Sequence, residues 1–163
     1  MLLKRSLSLS LALAALTAAS ALAQTTTTGT TTTRTASFPP AGLGSSETAS
    51  VNVVNTATAA SSGTAASCTG SISFFNTAGT LIGTATSFTL TSGQISAITL
   101  PFTKVGSTGL RTEVRAVVTL TSTSGSGVPC DLSASFETYD TATGATHVHL
   151  DGGVELIGGG IHR

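Results

Sequence analysis

Short runs in which apolar and polar residues alternate fill most of the chain from Thr35 onward. Such period-two alternation is typical of a β-strand with one face in a core and the other in solvent. The clearest run is the segment 110–120, where the predicted core side chains are Leu110, Val114, Ala116, Val118 and Leu120. No window shows the 3.6-residue period of an amphipathic helix. The pattern therefore predicts an all-β protein.

Similar runs predict further strands, separated by turns rich in Gly, Ser, Asn and Thr. They lie at 36–38, 47–56, 68–76, 81–90, 95–100 and 130–136. A last hairpin is predicted from 146–150 and 154–157, with Asp151-Gly152-Gly153 as its turn. Together these runs predict an antiparallel β-sandwich of about seven to nine strands.

The two cysteines are in phase with the predicted core positions of their strands. Cys68 alternates with Ile72, and Cys130 alternates with Phe136, so both sulfur atoms are expected to point inward. In an exported chain such a pair forms a disulfide. The alternative is two buried free thiols.

Two segments carry a resemblance to a known class of domain. Residues 44–55, GSSETASVNVVN, look like the second strand of immunoglobulin-like modules, and residues 90–94, LTSGQ, look like their recurrent leucine, turn and strand. Across Thr35 to Ile157 the layout resembles immunoglobulin-like domains of exported bacterial proteins. The resemblance implies a fold of two packed sheets and no activity.

The first 23 residues have the layout of a secretory signal peptide. Lys4 and Arg5 precede an apolar run, and Ala21-Leu22-Ala23 forms a cleavage site ahead of Gln24. The apolar run is too short for a membrane span of roughly 20 residues, so no span is expected after cleavage. The alternative is an uncleaved anchor. We expect a bacterial protein in the periplasm, at the cell surface or in the medium.

Composition divides the rest of the chain into three parts. Residues 24–34 are almost pure Thr and are predicted to be a flexible linker, because they offer no large apolar side chain to bury. Residues 35–157 form the predicted β-sandwich domain, and residues 158–163 form a Gly-rich tail.

Net charge argues against nucleic acid as a partner. The chain has seven basic and seven acidic residues, and loss of Lys4 and Arg5 with the signal leaves five against seven, a net charge near −2. A nucleic-acid binder needs a basic patch instead.

His147 and His149 stand two positions apart on a predicted strand, with Asp151 next in phase. Imidazole and carboxylate groups bind divalent metals, so these three residues are candidate ligands. The alternative is a pair of exposed surface histidines, because Val148 and Leu150 take the core positions. No other cofactor is expected.

Arg111, Glu113 and Arg115 share the polar face of the segment 110–120. They are candidates for a surface contact with a partner, and the alternative is a solvated strand face.

We expect a structural or binding module, for example in adhesion, and no catalytic activity. The sequence has no G-x-S-x-G nucleophile motif. Expected partners are another surface or envelope protein, or a polysaccharide. Two alternatives stay open: a metal-dependent protein using His147 and His149, and a fibre subunit that donates its Thr-rich segment as a strand to a neighbour.

Overall fold

The computed structural model describes residues 31–57, 67–123 and 130–157. These ranges hold nine strands, one short 3-10 helix at Phe102–Lys104 and no α-helix. The strands are β1 (Thr31–Ser37), β2 (Ala41–Gly44), β3 (Glu47–Asn55), β4 (Ser67–Phe75), β5 (Leu81–Thr91), β6 (Ile95–Pro101), β7 (Arg111–Thr123), β8 (Asp131–Asp140) and β9 (Thr146–Ile157). The predicted signal peptide and Gly-rich tail lie outside the described residues. Within these ranges no helix has the length and apolar character needed to cross a bilayer.

The strands form two antiparallel sheets, as the alternation predicts. One sheet has the order β1-β7-β4-β5, and β2 pairs with the same edge of β7 as β1. The other has the order β6-β3-β8-β9. Pro39 and Pro40 separate β1 from β2, because proline has no N–H to donate to a ladder.

The core lies between the two sheets and is built from the alternate positions of each strand. Phe136 is fully buried near its centre, with ring centroids 5.8 Å from Phe38 and 6.5 Å from Phe74. The other fully enclosed apolar side chains include Leu43, Val51, Val53, Ile72, Val114, Val118, Leu120 and Leu132. The predicted inward faces of β3, β4, β7 and β8 are therefore confirmed.

A disulfide joins Cys68 to Cys130 across the sandwich, as predicted. Cys68 lies in β4 of one sheet, and Cys130 directly precedes β8 of the other. Their Cα atoms are 5.3 Å apart and both residues are buried. The bridge therefore fixes the two sheets to each other at one end of the core.

The predicted hairpin at the end of the domain is wrong. Residues 146–157 form one strand, β9, which pairs with β8 along its whole length. Asp151 pairs with Ser135 and Gly152 with Ala134, and the register then shifts so that Leu156 pairs with Leu132. The Asp-Gly-Gly sequence thus leads into a bulge within a strand, which glycine also favours.

Two other boundaries differ from the prediction. Leu110 was expected in the core but is 83% exposed, and it lies just before the first residue of β7. Strand β1 begins at Thr31, so the last four residues of the predicted linker pair with β7. Threonine favours strands even where it buries little apolar surface.

Candidate functional site

The outer face of the five-stranded sheet carries hydroxyl side chains in register across four strands. Residues directly opposite in an antiparallel ladder lie on the same face of the sheet. One row across β1, β7, β4 and β5 consists of Thr33, Thr121, Thr69 and Thr89. The next row consists of Thr35, Thr119, Ser71 and Ser87. We call these eight residues the hydroxyl face.

On β4 and β7 the members of the hydroxyl face are exposed or half-buried, while the residues between them are buried. Thr69 is exposed and Ser71 half-buried, whereas Cys68, Gly70 and Ile72 between and beside them are buried. No charged residue occurs between Glu47 and Lys104, which includes all of β4 and β5. On β4 and β5 the face therefore offers hydroxyl donors and acceptors with no charged residue in the strand.

Arg115 and Phe75 lie opposite each other on the same outer surface, at one end of the β4–β7 pair. The Arg115 guanidinium lies over the Phe75 ring, with its carbon 5.1 Å from the ring centroid. Arg115 also lines an open depression of about 380 Å³, together with Asn76 and Glu113. Glu113 and Arg115 of the predicted contact row thus come together at this depression.

Arg111, the third member of that row, lies away from the depression. Its guanidinium lies across Gly42 of β2, where a Cβ atom would be only 1.9 Å from the guanidinium nitrogen. Glycine at position 42 therefore leaves the space that the Arg111 side chain occupies.

Glu47 links the two sheets at the end of the sandwich where Gly44 pairs with Arg111. Its Oε2 accepts a hydrogen bond of 2.6 Å from the backbone N–H of Gly44 in β2, and its Oε1 is paired with Nδ1 of His147 in β9. The Gly44 bond lowers the pKa of Glu47 most, and burial opposes it. His147 lowers that pKa further, both through its hydrogen bond and through its charge.

The structure brings two of the three predicted metal ligands, His149 and Asp151, into contact and places the third, His147, against another carboxylate. Nε2 of His149 is 2.9 Å from Oδ1 of Asp151, while His147 is turned toward Glu47. Both histidines are exposed, as the inward phase of Val148 and Leu150 predicts. In the described ranges, no three His, Cys, Asp or Glu side chains are grouped to hold a metal ion. The metal hypothesis stays a prediction.

Sequence reasoning missed the hydroxyl face, because its rows depend on which strands are neighbours and in what register. Each strand by itself does show the signal. Ser or Thr occupies every second position of β1 from 33 to 37, of β4 from 67 to 73 and of β5 from 87 to 91. On β7 the outward positions 119 and 121 are Thr, and the next one is Val117. Only the order β1-β7-β4-β5 brings these separate stretches into rows.

No protein-family model, curated protein or solved structure matches this chain.

Proposed function

We propose that this chain is an exported, non-catalytic β-sandwich module that attaches to material at the outside of a bacterial cell. The observation that carries the proposal is the hydroxyl face, a solvent-exposed set of Ser and Thr side chains in register across four strands. A solvated sheet face on a soluble protein usually includes charged residues among its polar positions. An outer face made of hydroxyl groups in rows fits contact with an uncharged surface better than it fits free solution.

Export is supported from two sides. The sequence of the first 23 residues has the three parts of a signal peptide, and a cystine such as Cys68–Cys130 persists in oxidising compartments. We also propose an immunoglobulin-like arrangement, supported by two packed antiparallel sheets and a cystine that joins them.

The experiment expresses the full chain in a bacterial host and follows it by cell fractionation and intact-mass measurement. The exported product should begin at Gln24, contain no alkylatable thiol, and sediment in part with cell envelopes. A chain that stays in the cytoplasm with its first 23 residues attached overturns export. A product that is exported but never retained by envelopes or whole cells overturns the binding role.

A further inference from the structure

Resting on the proposed function, we propose that the ligand of the hydroxyl face is a neutral polysaccharide. The polymer would lie along the β4–β7 pair, with one end at the depression beside Phe75 and Arg115.

The chemistry of the face selects a polyhydroxylated, uncharged ligand. Each Ser or Thr hydroxyl both donates and accepts a hydrogen bond, which is also the capacity of a sugar hydroxyl. An anionic polymer would need basic side chains along the face, and the two rows of the hydroxyl face contain none; Arg115, at the end of the β4–β7 pair, lines the depression together with the acidic Glu113. A protein partner would instead be expected to meet large apolar anchors, whereas the two rows of the hydroxyl face contain only Ser and Thr.

The twist of the sheet favours a ligand that lies along one strand pair over a ligand that lies across all four strands. Neighbouring strands in a sheet rotate by about 20–25° relative to each other, so rows across four strands do not form one flat lattice. A rigid crystalline surface such as ice would touch only part of the face. Along a single strand pair the side chains repeat every two residues, at about 6.6–6.8 Å, and a flexible polymer can follow them. On the β4–β7 pair these positions are Thr69 with Thr121, Ser71 with Thr119, and Ser73 with Val117.

The depression at the end of the β4–β7 pair supplies charged and amide side chains that could bind a sugar. Arg115 lines it with a guanidinium and Glu113 with a carboxylate, and the Phe75 ring lies beneath the Arg115 guanidinium. The Oδ1 of Asn76 accepts hydrogen bonds from the backbone N–H groups of Ala78 (3.0 Å) and Thr80 (2.9 Å). Those bonds fix the side chain, so its Nδ2 is held as a donor beside the depression. A few placed polar groups around an apolar contact are typical of small-ligand sites.

The test measures retention of the exported protein on microcrystalline cellulose, insoluble starch, cross-linked polygalacturonate and ice. The main variant, Thr69→Val/Thr119→Val/Thr121→Val, removes three hydroxyls while it keeps side-chain shape and strand propensity. The matched control is Thr99→Val, an exposed threonine on the outer face of the other sheet. A second variant, Ser71→Lys, places a positive charge in the centre of the β4–β7 pair along which the polymer would lie. Circular dichroism and urea unfolding confirm that each variant is folded.

We expect retention on at least one neutral polysaccharide, independent of salt, with the triple variant weaker by about tenfold or more, since it loses three hydroxyl groups that can form hydrogen bonds to the ligand. Ser71→Lys should also lose retention, and Thr99→Val should not. Four results overturn the inference: no retention on either neutral polymer, retention that the triple variant keeps, retention only on polygalacturonate that salt abolishes, or retention only on ice. If envelope attachment persists in any of these cases, the proposed function stands and only the ligand class is wrong.

Discussion

The side-chain amide of Asn55 donates a hydrogen bond of 2.9 Å to the carbonyl oxygen of Leu90, which ties β3 in one sheet to β5 in the other. Asn55 is fully buried, and its Oδ1 accepts a hydrogen bond of 3.1 Å from the backbone N–H of Ala57. Its own backbone N–H donates to Gln94, and its carbonyl accepts from Gly93. One side chain and its backbone therefore hold the β5–β6 turn onto the end of β3.

Replacing Asn55 with Ala should destabilise the protein by about 2–3 kcal/mol, because the buried Leu90 carbonyl and Ala57 N–H would both lose a partner. Urea unfolding gives the free energy directly. Asn52→Ala is the matched control, since Asn52 is only half-buried and bonds to the Glu137 carboxylate on the outer face. An Asn55→Ala loss no larger than that of Asn52→Ala would contradict this role.

The Cys68–Cys130 bridge closes a loop of sequence separation 62. The chain-entropy model then gives a contribution of about 4 kcal/mol to the free energy of unfolding. The double variant Cys68→Ala/Cys130→Ala should lose about this amount in urea unfolding. Reductant should lower the stability of the natural chain to a similar level and leave the double variant unchanged. Equal stability with and without reductant would show that the bridge is absent from the exported protein.

Gly70 lies on the inner side of β4 under the ring of Phe88. An added Cβ atom would be 2.3 Å from the carbonyl oxygen of Thr119 and 2.6 Å from the Phe88 ring. Gly70→Ala should therefore cost about 1–3 kcal/mol through overpacking. Gly109→Ala is the control, because its nearest contact would be 3.5 Å away. Equal free energies of unfolding for the two variants would contradict the close approach of Thr119 and Phe88 to position 70.

Acid should remove the stability that Glu47 contributes. The folded-state pKa of Glu47 lies below its ordinary value of 4.5, chiefly because of the Gly44 hydrogen bond. A lowered folded-state pKa gives stability that is present above 4.5 and is lost as the pH falls through the lower, folded-state pKa. Natural protein should thus exceed Glu47→Gln in free energy of unfolding at pH 7, and the difference should vanish on acidification.

His147→Gln separates the causes of that pKa shift. It removes the imidazole and keeps the Gly44 bond, so most of the acid dependence should remain. If His147→Gln abolishes the dependence as fully as Glu47→Gln does, the histidine and not the Gly44 N–H is the main cause.

The strands and their inward faces could be predicted because burial imposes a period of two on each strand by itself. Cys68, Val51 and Phe136 each lie in such a local pattern. β2 was missed because it has only four residues, two of them Gly. Residues 151–153 were mistaken for a turn because glycine pairs favour a hairpin turn and a bulge alike.

The candidate site could be predicted only in part. Glu113 and Arg115 were selected from one strand, and they do lie at the depression. Phe75 is out of phase with the buried Phe74, but its contact with Arg115 depends on the pairing of β4 with β7. The alternation within one strand does not specify which distant strands it pairs with. The rows that run from Thr33 to Thr89 can therefore be recognised only once the order of the strands is known.

Amide chemical-shift mapping by NMR tests the central claim most directly. The isotope-labelled exported protein is titrated with a soluble oligosaccharide of the neutral polymer that retains it. The largest shifts should fall on β4 and β7, from Thr69 and Thr121 to Phe75 and Arg115, while β8 and β9 stay unchanged. Shifts centred on His149 and β9, or none on β4 and β7, would contradict binding at the hydroxyl face.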